Sequence, residues 1–353
     1  MTAFLTIIVL LLVFIAIWQM TKIFELSQVA SQNSQVANDK DNHLNGQLMF
    51  AFLIFIYLIT IFSFWKWGDI LLGKSASEHG PEYDSLMEVS MILIFFVQIV
   101  TQALLHYFAF KYRGKKENKA LFYADNDRLE FIWTIIPVIV LAGLILWGLY
   151  TWTNIMDVNE EEGDPIIVEL YAQQFNWKAR YAGNDNTLGE SNVRLIDIDK
   201  NNVLGLDEAD PNGKDDVISF TELHLPVNRK VVFKMRSQDV LHSAYMPHFR
   251  AQMNCVPGMI TQFAFTPTVT TVEMRQDAKI AQKVTKINKL RADRKTKGED
   301  VEPWEFDYIL LCNKICGSSH YNMQMKIIVE TEEEFNAWMK EQQTFGQTMA
   351  SKE

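Results

Sequence analysis

Cysteine is scarce in this sequence. Cys255, Cys312 and Cys316 are the only three among 353 residues, and no C-x-x-C-H motif occurs. The small number excludes a scaffold held together by a disulfide framework, and the missing motif excludes a covalently attached c-type haem on this chain. Chemistry that depends on sulfur is therefore expected where two cysteines lie only four positions apart.

Charge is absent from four long stretches of the first half. Residues of about 1–20, 47–65, 89–110 and 131–152 contain no Asp, Glu, Lys or Arg. About 20 apolar residues are enough for a helix to cross the hydrocarbon core of a membrane. We therefore predict four transmembrane helices, which form a helical region over 1–152. No basic residue precedes the first run, which favours a retained helix over a cleaved signal peptide.

The loop between the third and fourth runs indicates the orientation. Its sequence "KYRGKKENK" (111–119) is the most basic of the short loops, so it should face the cytoplasm. The fourth helix then leads out of the cytoplasm, and residues 153–353 form an extracytoplasmic domain. That domain holds 23 Lys and Arg against 31 Asp and Glu, so it is acidic, and no nucleic-acid partner is expected.

The pattern of residues changes after the fourth run. Short segments rich in β-branched and aromatic residues alternate with Pro, Gly or Asn, as in "PIIVELYAQQFNWKARY" and "ISFTELHLPVNRKVVFKMRS". This pattern is typical of an antiparallel β-sandwich or barrel. The domain is predicted to close with a helix, which begins at a capping box formed by Thr331 and Glu334. The chain as a whole is thus predicted to be a membrane-anchored α+β protein.

Two insertions interrupt the strand pattern. The first, at about 185–216, is acidic and rich in turn residues. Its stretch 197–208 matches several ligand positions of a calcium-binding EF-hand loop, but Asn202 stands where glycine is expected, so a solvated loop is favoured. The second, at about 275–303, contains nine Lys or Arg and two Asp over 275–297. An amphipathic helix with a basic outer face is predicted there, with an apolar stripe of Ile280, Val284, Ile287 and Leu290.

Two cysteines, a histidine and a methionine fall together in "LCNKICGSSHYNM" (311–323). We call Cys312, Cys316, His320 and Met323 the sulfur cluster. Strand-like sequences on both sides indicate that it lies on a loop. His242, which follows the strand-like "RKVVFKM", is a further candidate ligand. Thiolate, thioether and imidazole ligands together suit copper.

Three simpler kinds of site would each leave some of these residues without a role. A disulfide between the cysteines leaves His320 and Met323 without a role, and a structural zinc site does not require the methionine. A mononuclear blue-copper site needs only one of the two thiolates. Two thiolates that bridge two copper ions, each ion also bound by one imidazole, use every residue, so a binuclear site is favoured. His248 is a weaker competitor for His242, and Cys255 is expected to be a small buried residue.

The sulfur cluster resembles the copper-ligand loop of the CuA domain in subunit II of haem-copper cytochrome c oxidases. "QDVLHSAYMP" resembles the segment with that family's other histidine ligand, "LEFIWTIIPVIVLAG" its second transmembrane helix, and "AQQFNWKARY" its aromatic strand. The resemblance implies a cupredoxin-like sandwich. It also implies a location in the bacterial inner membrane, with the C-terminal domain, 153–353, on the periplasmic side.

The resemblance also implies roles for individual residues. The ligands of a binuclear copper A centre would be His242, Cys312, Cys316, His320 and Met323, together with the backbone carbonyl of Lys314. Phe175 and Trp177 stand where electrons arrive in the family, although its usual residue at the first position is Trp. Glu130 matches a carboxylate at the entrance of a proton path. The family has Glu where Lys314 stands, and that Glu binds magnesium, so the resemblance does not support a magnesium site here.

In the family, this subunit accepts electrons from a c-type haem and passes them to haem a of subunit I, where oxygen is reduced to water and protons are pumped. The chain itself would carry no catalytic residue. Its partners would be subunits I and III and a c-type cytochrome. The donor is either a soluble basic cytochrome c or the haem-c subunits of a quinol-oxidising complex, such as alternative complex III, joined in a supercomplex. A membrane-tethered copper carrier or oxidase assembly factor is the alternative.

Overall fold

The computed structural model describes residues 2–30, 38–68, 73–161 and 163–351. Contacts divide the chain into two compact units. The first comprises Met1–Gly68 and Ile92–Trp133, and the second comprises Asp69–Met91 and Thr134–Glu353. The second unit thus contains the whole β domain together with the start of one long helix and most of another.

Four helices precede the first strand: α1 (Thr2–Ala30), α2 (Asp39–Trp67), α3 (Gly80–Lys111) and α4 (Asp127–Met156). In the described part of the chain, α2, α3 and α4 are long and apolar enough to cross a membrane. The first predicted span falls in α1, where the described apolar stretch is Leu10–Ile23, shorter than a span. The structure therefore supports three of the four predicted spans by length and composition.

Inside the first unit, α2 and α3 are joined by polar contacts as well as ring contacts. The hydroxyl of Tyr57 donates to the carbonyl of Ile99 at 2.6 Å, and the rings of Phe64 and Phe95 meet edge to face. Such a hydrogen bond satisfies a hydroxyl that lipid could not satisfy. These two helices therefore pack as a pair.

Within the described residues, ten strands form two five-stranded sheets. One has the order β3-β2-β1-β5-β8 and the other β4-β10-β9-β6-β7. The strands are β1 (Ile166–Gln173), β2 (Asn176–Tyr181), β3 (Val217–Ser219), β4 (Glu222–Pro226), β5 (Val231–Ser237), β6 (His242–Met246), β7 (Ala251–Cys255), β8 (Thr261–Phe265), β9 (Tyr308–Cys312) and β10 (Gln324–Glu330).

The sandwich is confirmed, but its sheets are not purely antiparallel. β1 pairs with β5 in parallel, and so does β4 with β10, while the remaining pairings are antiparallel. In each parallel pair the two strands are far apart in the sequence, and the chain visits the opposite sheet between them. Such long-range connections leave no local sign in the sequence, which is why the prediction was wrong on this point.

The core lies between the two sheets. Leu170 and Phe233 come from one sheet, and Leu225, Leu310 and Ile327 from the other, and none of their side chains is exposed. Burial of each such side chain contributes about 1.5–3 kcal/mol. This core gives the loops at the ends of the strands a rigid base.

The described part of the β domain also contains four helices: α5 (Thr271–Arg275), α6 (Ala278–Lys295), α7 (Glu332–Glu341) and α8 (Phe345–Ala350). The predicted capping box of Thr331 and Glu334 is present at the start of α7. The predicted basic helix is α6. Ile280 is buried against the core and Val284 is half-buried there, whereas Leu290 is exposed.

The first insertion packs on the outer side of β1 and β2. Leu204 and Leu206 form a second small core with Tyr171 and Phe345. Asn202, which replaces the expected glycine, is buried, and its side chain bonds both the N–H and the carbonyl of Leu206. This residue therefore stabilises the loop by its own hydrogen bonds.

The segment 73–80, which precedes α3, is attached to the β domain. The N–H of Ala76 donates to the carbonyl of His248 at 2.8 Å, and the Ala76 carbonyl accepts from Thr268 at 2.9 Å. Arg250 forms a bidentate ion pair with Asp84 of α3, with N–O distances of 2.7 and 2.8 Å. The β domain is thus fixed to the beginning of a membrane helix.

Candidate metal centre

Three of the predicted ligands form one compact group. The ligand atoms of His242, Cys312 and Cys316 all lie within 4.8 Å of one another, and all three residues are buried. The two sulfur atoms are 3.8 Å apart, and both cysteines are free thiols. A metal–thiolate bond is about 2.3 Å long, so a single ion can touch both sulfurs, and a second ion can do so from the other side.

Each sulfur has one imidazole beside it. Nδ1 of His242 lies 3.6 Å from Sγ of Cys312, and Nδ1 of His320 lies 3.5 Å from Sγ of Cys316. Sδ of Met323 is 3.8 Å from Cys316, and the carbonyl of Lys314 is 3.2 Å from Cys312. The structure therefore brings all six predicted ligands together, one nitrogen to each thiol, with the two weaker donors at the periphery.

The backbone explains this convergence. Cys312 ends β9, and its N–H donates to the carbonyl of Met323 at 3.0 Å, which closes the loop between β9 and β10. The next residue, Asn313, donates to the carbonyl of Ser243 on β6 at 3.0 Å. The loop is therefore tied to the strand that begins with His242.

A carboxylate orients His242. Its Nε2 donates to Oδ1 of Asp239 at 2.8 Å, which leaves Nδ1 to face the thiols. Oδ2 of Asp239 accepts from the backbone N–H of Gln174, also at 2.8 Å. The side-chain amide of Gln174 in turn donates to the carbonyl of Cys316. One chain of hydrogen bonds thus links both sides of the site.

Asp239 and Gln174 were not among the predicted site residues. Asp239 is only three residues from His242, and a carboxylate near a ligating histidine is a recognisable signal. Gln174 gave no comparable signal, because it belongs to a turn that is distant in sequence from the sulfur cluster.

The side chains of the two predicted aromatic residues differ in how far they are exposed to solvent. Trp177 is buried and meets the ring of His242 edge to face, with centroids 6.3 Å apart. Phe175 is half-buried and lies against the sulfur-cluster loop, where a Cβ on Gly317 would come within 2.8 Å of its Cζ. Gly317 has a φ of 142°, so the site requires glycine for both space and backbone conformation.

The remaining candidates lie elsewhere. Glu130 is exposed in the first turn of α4, within the first unit. His248 is buried against Phe306 and Tyr308, and its pKa is lowered to about 4 by burial and nearby positive charge. Burial raises the pKa of Cys255 to about 12, which agrees with its predicted role as a small buried residue. Burial likewise raises the pKa of Cys316, to about 11, so a metal ion has to displace a proton there.

Fold and site together define a membrane-anchored protein with a cupredoxin-like domain and a group of soft metal ligands. Two family models match the chain: the transmembrane domain of cytochrome C oxidase subunit II over residues 65–151, and its periplasmic domain over residues 173–285. The chain belongs to the cytochrome c oxidase subunit II family. This confirms the resemblance, although the second match ends before the sulfur cluster.

Two sequence relatives support the same assignment. Alternative cytochrome c oxidase subunit 2 of Bradyrhizobium diazoefficiens is 32% identical over 290 residues, which cover 82% of this chain and 88% of the relative. Cytochrome c oxidase subunit 2 of Thermostichus vulcanus is 23% identical and is covered to 84%, over 82% of this chain. A crystal structure of the periplasmic domain of subunit II of cytochrome oxidase from Bradyrhizobium japonicum aligns with 50% of this chain and 91% of its own, at 19% identity and a TM-score of 0.29.

Proposed function

We propose that the chain holds a binuclear copper A centre and is the electron-accepting subunit of a proton-pumping cytochrome c oxidase. One observation carries the proposal: two buried thiols lie 3.8 Å apart, and each has its own imidazole nitrogen at 3.5–3.6 Å. A single tetrahedral zinc ion can also bind two thiolates and two imidazoles, but it would leave the thioether of Met323, 3.8 Å from Sγ of Cys316, without a role. When bound, the centre supplies one-electron transfer with the charge shared between two copper ions.

The protein residues have distinct tasks in this proposal. Cys312 and Cys316 would hold the copper ions through their thiolates, and His242 and His320 would each supply one imidazole ligand. Met323 and the Lys314 carbonyl would be weak ligands that tune the reduction potential. Asp239 holds the His242 tautomer by accepting from Nε2, and buried Trp177 excludes water from that side. Fixed ligands need little reorganisation when an electron arrives or leaves.

Electrons would come from a c-type haem and leave towards haem a of subunit I, with subunit III as a further partner. Ile315 and Tyr321, on the sulfur-cluster loop, are 91% and 86% exposed. Such apolar side chains beside a buried centre suit transient contact with a donor protein. Phe175 and Trp177 would lie on the route from the donor. Lys314 supplies no carboxylate, so we propose no magnesium ion at this position.

We further propose that α1 crosses the membrane as a fourth span and that the helical region covers residues 1–152. Residues 153–353 would then form the periplasmic domain of a multi-pass protein in the bacterial inner membrane. The basic loop 111–119 supports this orientation. Glu130 would stand at the cytoplasmic end of α4, at the entrance of a proton path into subunit I.

The donor is either diffusing or fixed in the membrane. Helix α1 and most of α2 lie before the matched transmembrane domain, which begins at residue 65, and in the second case they would bind a neighbour such as the haem-c subunits of alternative complex III. Deletion of residues 1–45 should then loosen co-purification of that complex while the copper spectrum stays intact. Unchanged co-purification would leave a soluble cytochrome c as the donor.

Electron paramagnetic resonance of the copper-loaded full-length chain tests the main proposal. We expect two coppers per chain and a hyperfine pattern from one electron shared equally by both nuclei. A membrane-tethered copper carrier or assembly factor would instead show a single copper that is lost readily to a chelator. That second outcome would reject the oxidase function for this site.

A further inference from the structure

Helix α6 is a strongly basic surface on an acidic protein. Its 18 residues, Ala278–Lys295, contain seven Lys or Arg and a single Asp, whereas the whole chain has a net charge of −10. Its apolar side is occupied, because Ile280 and Val284 pack on the core of the sandwich. The opposite, basic side is therefore available to a partner with negative charge.

The cations of α6 differ in how they are neutralised. At the C-terminal end, Arg294 pairs with Glu299 and Lys295 pairs with Glu302 at 3.4 Å. Towards the N-terminal end, Lys279, Lys283 and Lys286 form one row, with spacings of four and three residues. We call these three residues the lysine row.

Within the part of the chain that the structure describes, none of the three side-chain ammonium groups of the lysine row has an ion pair or a hydrogen bond. Lys283 lies over the ring of Trp304, 5.8 Å from its centroid. The carboxylate at this end of α6, Asp277, accepts from the backbone N–H groups of Lys279 and Ile280 and pairs with no lysine of the row. The row thus keeps its full positive charge for a ligand outside the chain.

The lysine row begins beside the segment that leads into α3. The side chain of Lys279 lies against Gly73: a Cβ built on Gly73 would be 3.8 Å from its Cδ. The carbonyl of Gly73 accepts from Arg250 at 2.8 Å, and Arg250 also holds Asp84. All of these residues belong to the second unit, so their arrangement is internal to it.

This position lies close to the membrane surface. Asp84 precedes the uncharged part of α3, which begins at Val89, by five residues, or about 7 Å of helix. The head-group layer of one leaflet is about 5–8 Å deep, and charges act over about 8–10 Å at physiological salt. The beginning of the lysine row is therefore within electrostatic reach of lipid head groups.

The lysine row is surrounded by exposed aliphatic side chains and a tryptophan, a combination that is common at membrane surfaces. Leu290, one turn beyond Lys286, is 60% exposed, and Val272 of the preceding helix is 62% exposed. Trp304 is half-buried beside Lys283. Lysines next to a tryptophan and exposed aliphatic side chains are typical of surfaces that bind the edge of a bilayer.

We propose that Lys279, Lys283 and Lys286 bind the phosphate groups of anionic phospholipids in the leaflet that faces the β-sandwich. A lipid fits better than the electron donor, because β6 separates the two regions. His242, at the sulfur cluster, begins that strand, and His248, which bonds Ala76 of the segment before α3, lies six residues on. The strand itself, His242–Met246, spans about 13 Å, and a short 3-10 helix, Pro247–Phe249, follows it. The lysine row begins beside the segment held by His248, so it lies about the length of this strand away from the candidate copper centre.

Lysine footprinting of the full-length chain in nanodiscs tests the proposal. One set of discs contains phosphatidylcholine alone, and the other adds phosphatidylglycerol. Amine acylation, read by mass spectrometry, should be about fivefold slower at each residue of the lysine row in the second set, since a lysine gains about 1 kcal/mol at an anionic surface. Lys295, paired at the far end of α6, and Lys200, in the first insertion, should react equally in both. Equal rates at the lysine row would overturn the proposal.

A matched pair of triple variants separates lipid binding from protein binding. K279Q/K283Q/K286Q removes the lysine row, and R294Q/K295Q/K297Q removes the same charge from the far end. The first variant should lose most of the phosphatidylglycerol that co-purifies with the chain, whereas the second should retain it. If the first variant keeps its lipid but loses a co-purifying oxidase subunit or donor, the surface is a protein interface and the lipid proposal is wrong.

Discussion

Oδ1 of Asp239 accepts a hydrogen bond from Nε2–H of His242 at 2.8 Å, which directs Nδ1 of His242 at the thiol of Cys312, 3.6 Å away. Carboxylates in this position fix the tautomer of a ligating histidine and raise its basicity. Asp239→Ala should therefore weaken copper binding by about 10–100-fold, measured by competition with a chelator. Asp199→Ala, in the first insertion, is the control and should bind copper normally. An unchanged affinity in Asp239→Ala would show that this contact is incidental.

Substitution of a cysteine ligand and of the methionine ligand should have different effects on the copper centre. In Cys316→Ser a hydroxyl replaces a soft bridging thiolate, so the binuclear spectrum should be lost. Met323→Leu should keep both coppers and shift the reduction potential, because a weak ligand tunes more than it holds. The measurements are electron paramagnetic resonance and redox titration of the full-length chain. A mixed-valence spectrum in Cys316→Ser would refute the assignment of this residue.

Gly317 is expected to tolerate no side chain. In Gly317→Ala, the new Cβ meets Phe175 at 2.8 Å and the backbone has a φ of 142°. We expect the loop to shift and copper binding to fall. Gly258→Ala is the matched control, because Gly258 also has a positive φ, of 76°, but no atom within 4 Å of the added Cβ.

Gly258→Ala should cost only the backbone strain of about 1–2 kcal/mol and leave the copper site intact. In the double variant Gly317→Ala with Phe175→Ala, part of the copper affinity should return, because the contact with Phe175 is gone while the contact with Nε2 of Gln174 at 2.9 Å and the backbone strain remain. No recovery in the double variant would mean that Phe175 does not set the requirement for glycine.

His248 should make the β domain sensitive to acid. Burial, followed by the charges of Lys283 and Arg250, lowers its pKa from 6.5 to about 4. As the pH falls below 6.5 the unfolded chain takes up a proton that the folded chain refuses, so stability is lost between about pH 6.5 and 4. The loss amounts to about 3 kcal/mol. His248→Leu should reduce the fall in melting temperature over this range, and an identical pH profile would exclude His248 as its source.

Glu130→Gln tests the proposed proton path. Electrons should still reach the copper centre at the normal rate, whereas oxygen consumption by the assembled oxidase should slow, because Gln cannot release a proton. Rapid-mixing spectroscopy measures the first step and an oxygen electrode the second. Normal oxygen consumption would leave Glu130 as an exposed residue at the start of α4 with no role in proton uptake.

Features carried by short sequence patterns were predictable. Three membrane spans, the basic helix, the capping box at Thr331 and the gathering of ligands in the sulfur cluster all depend on residues a few positions apart. The contacts that join these features to distant parts of the chain were not predictable. The parallel pairs β1 with β5 and β4 with β10, the contact of Gln174 with Cys316, and the attachment of Ala76 to His248 join residues from 65 to 172 positions apart. Such contacts are selected by packing of the whole domain, which no local pattern encodes.

Strand β6 links two ends of the second unit through one short piece of extended chain. Its first residue, His242, lies at the sulfur cluster, and His248, just beyond its last, holds the segment before α3. Extended chain can hardly lengthen, and a slip of one residue would move the ligand by about 3.3 Å and turn it to the other face. The strand therefore fixes the distance between the candidate copper centre and the segment before α3. Because electron transfer weakens steeply with distance, under the proposed function this distance would limit which redox centres can exchange electrons with the site.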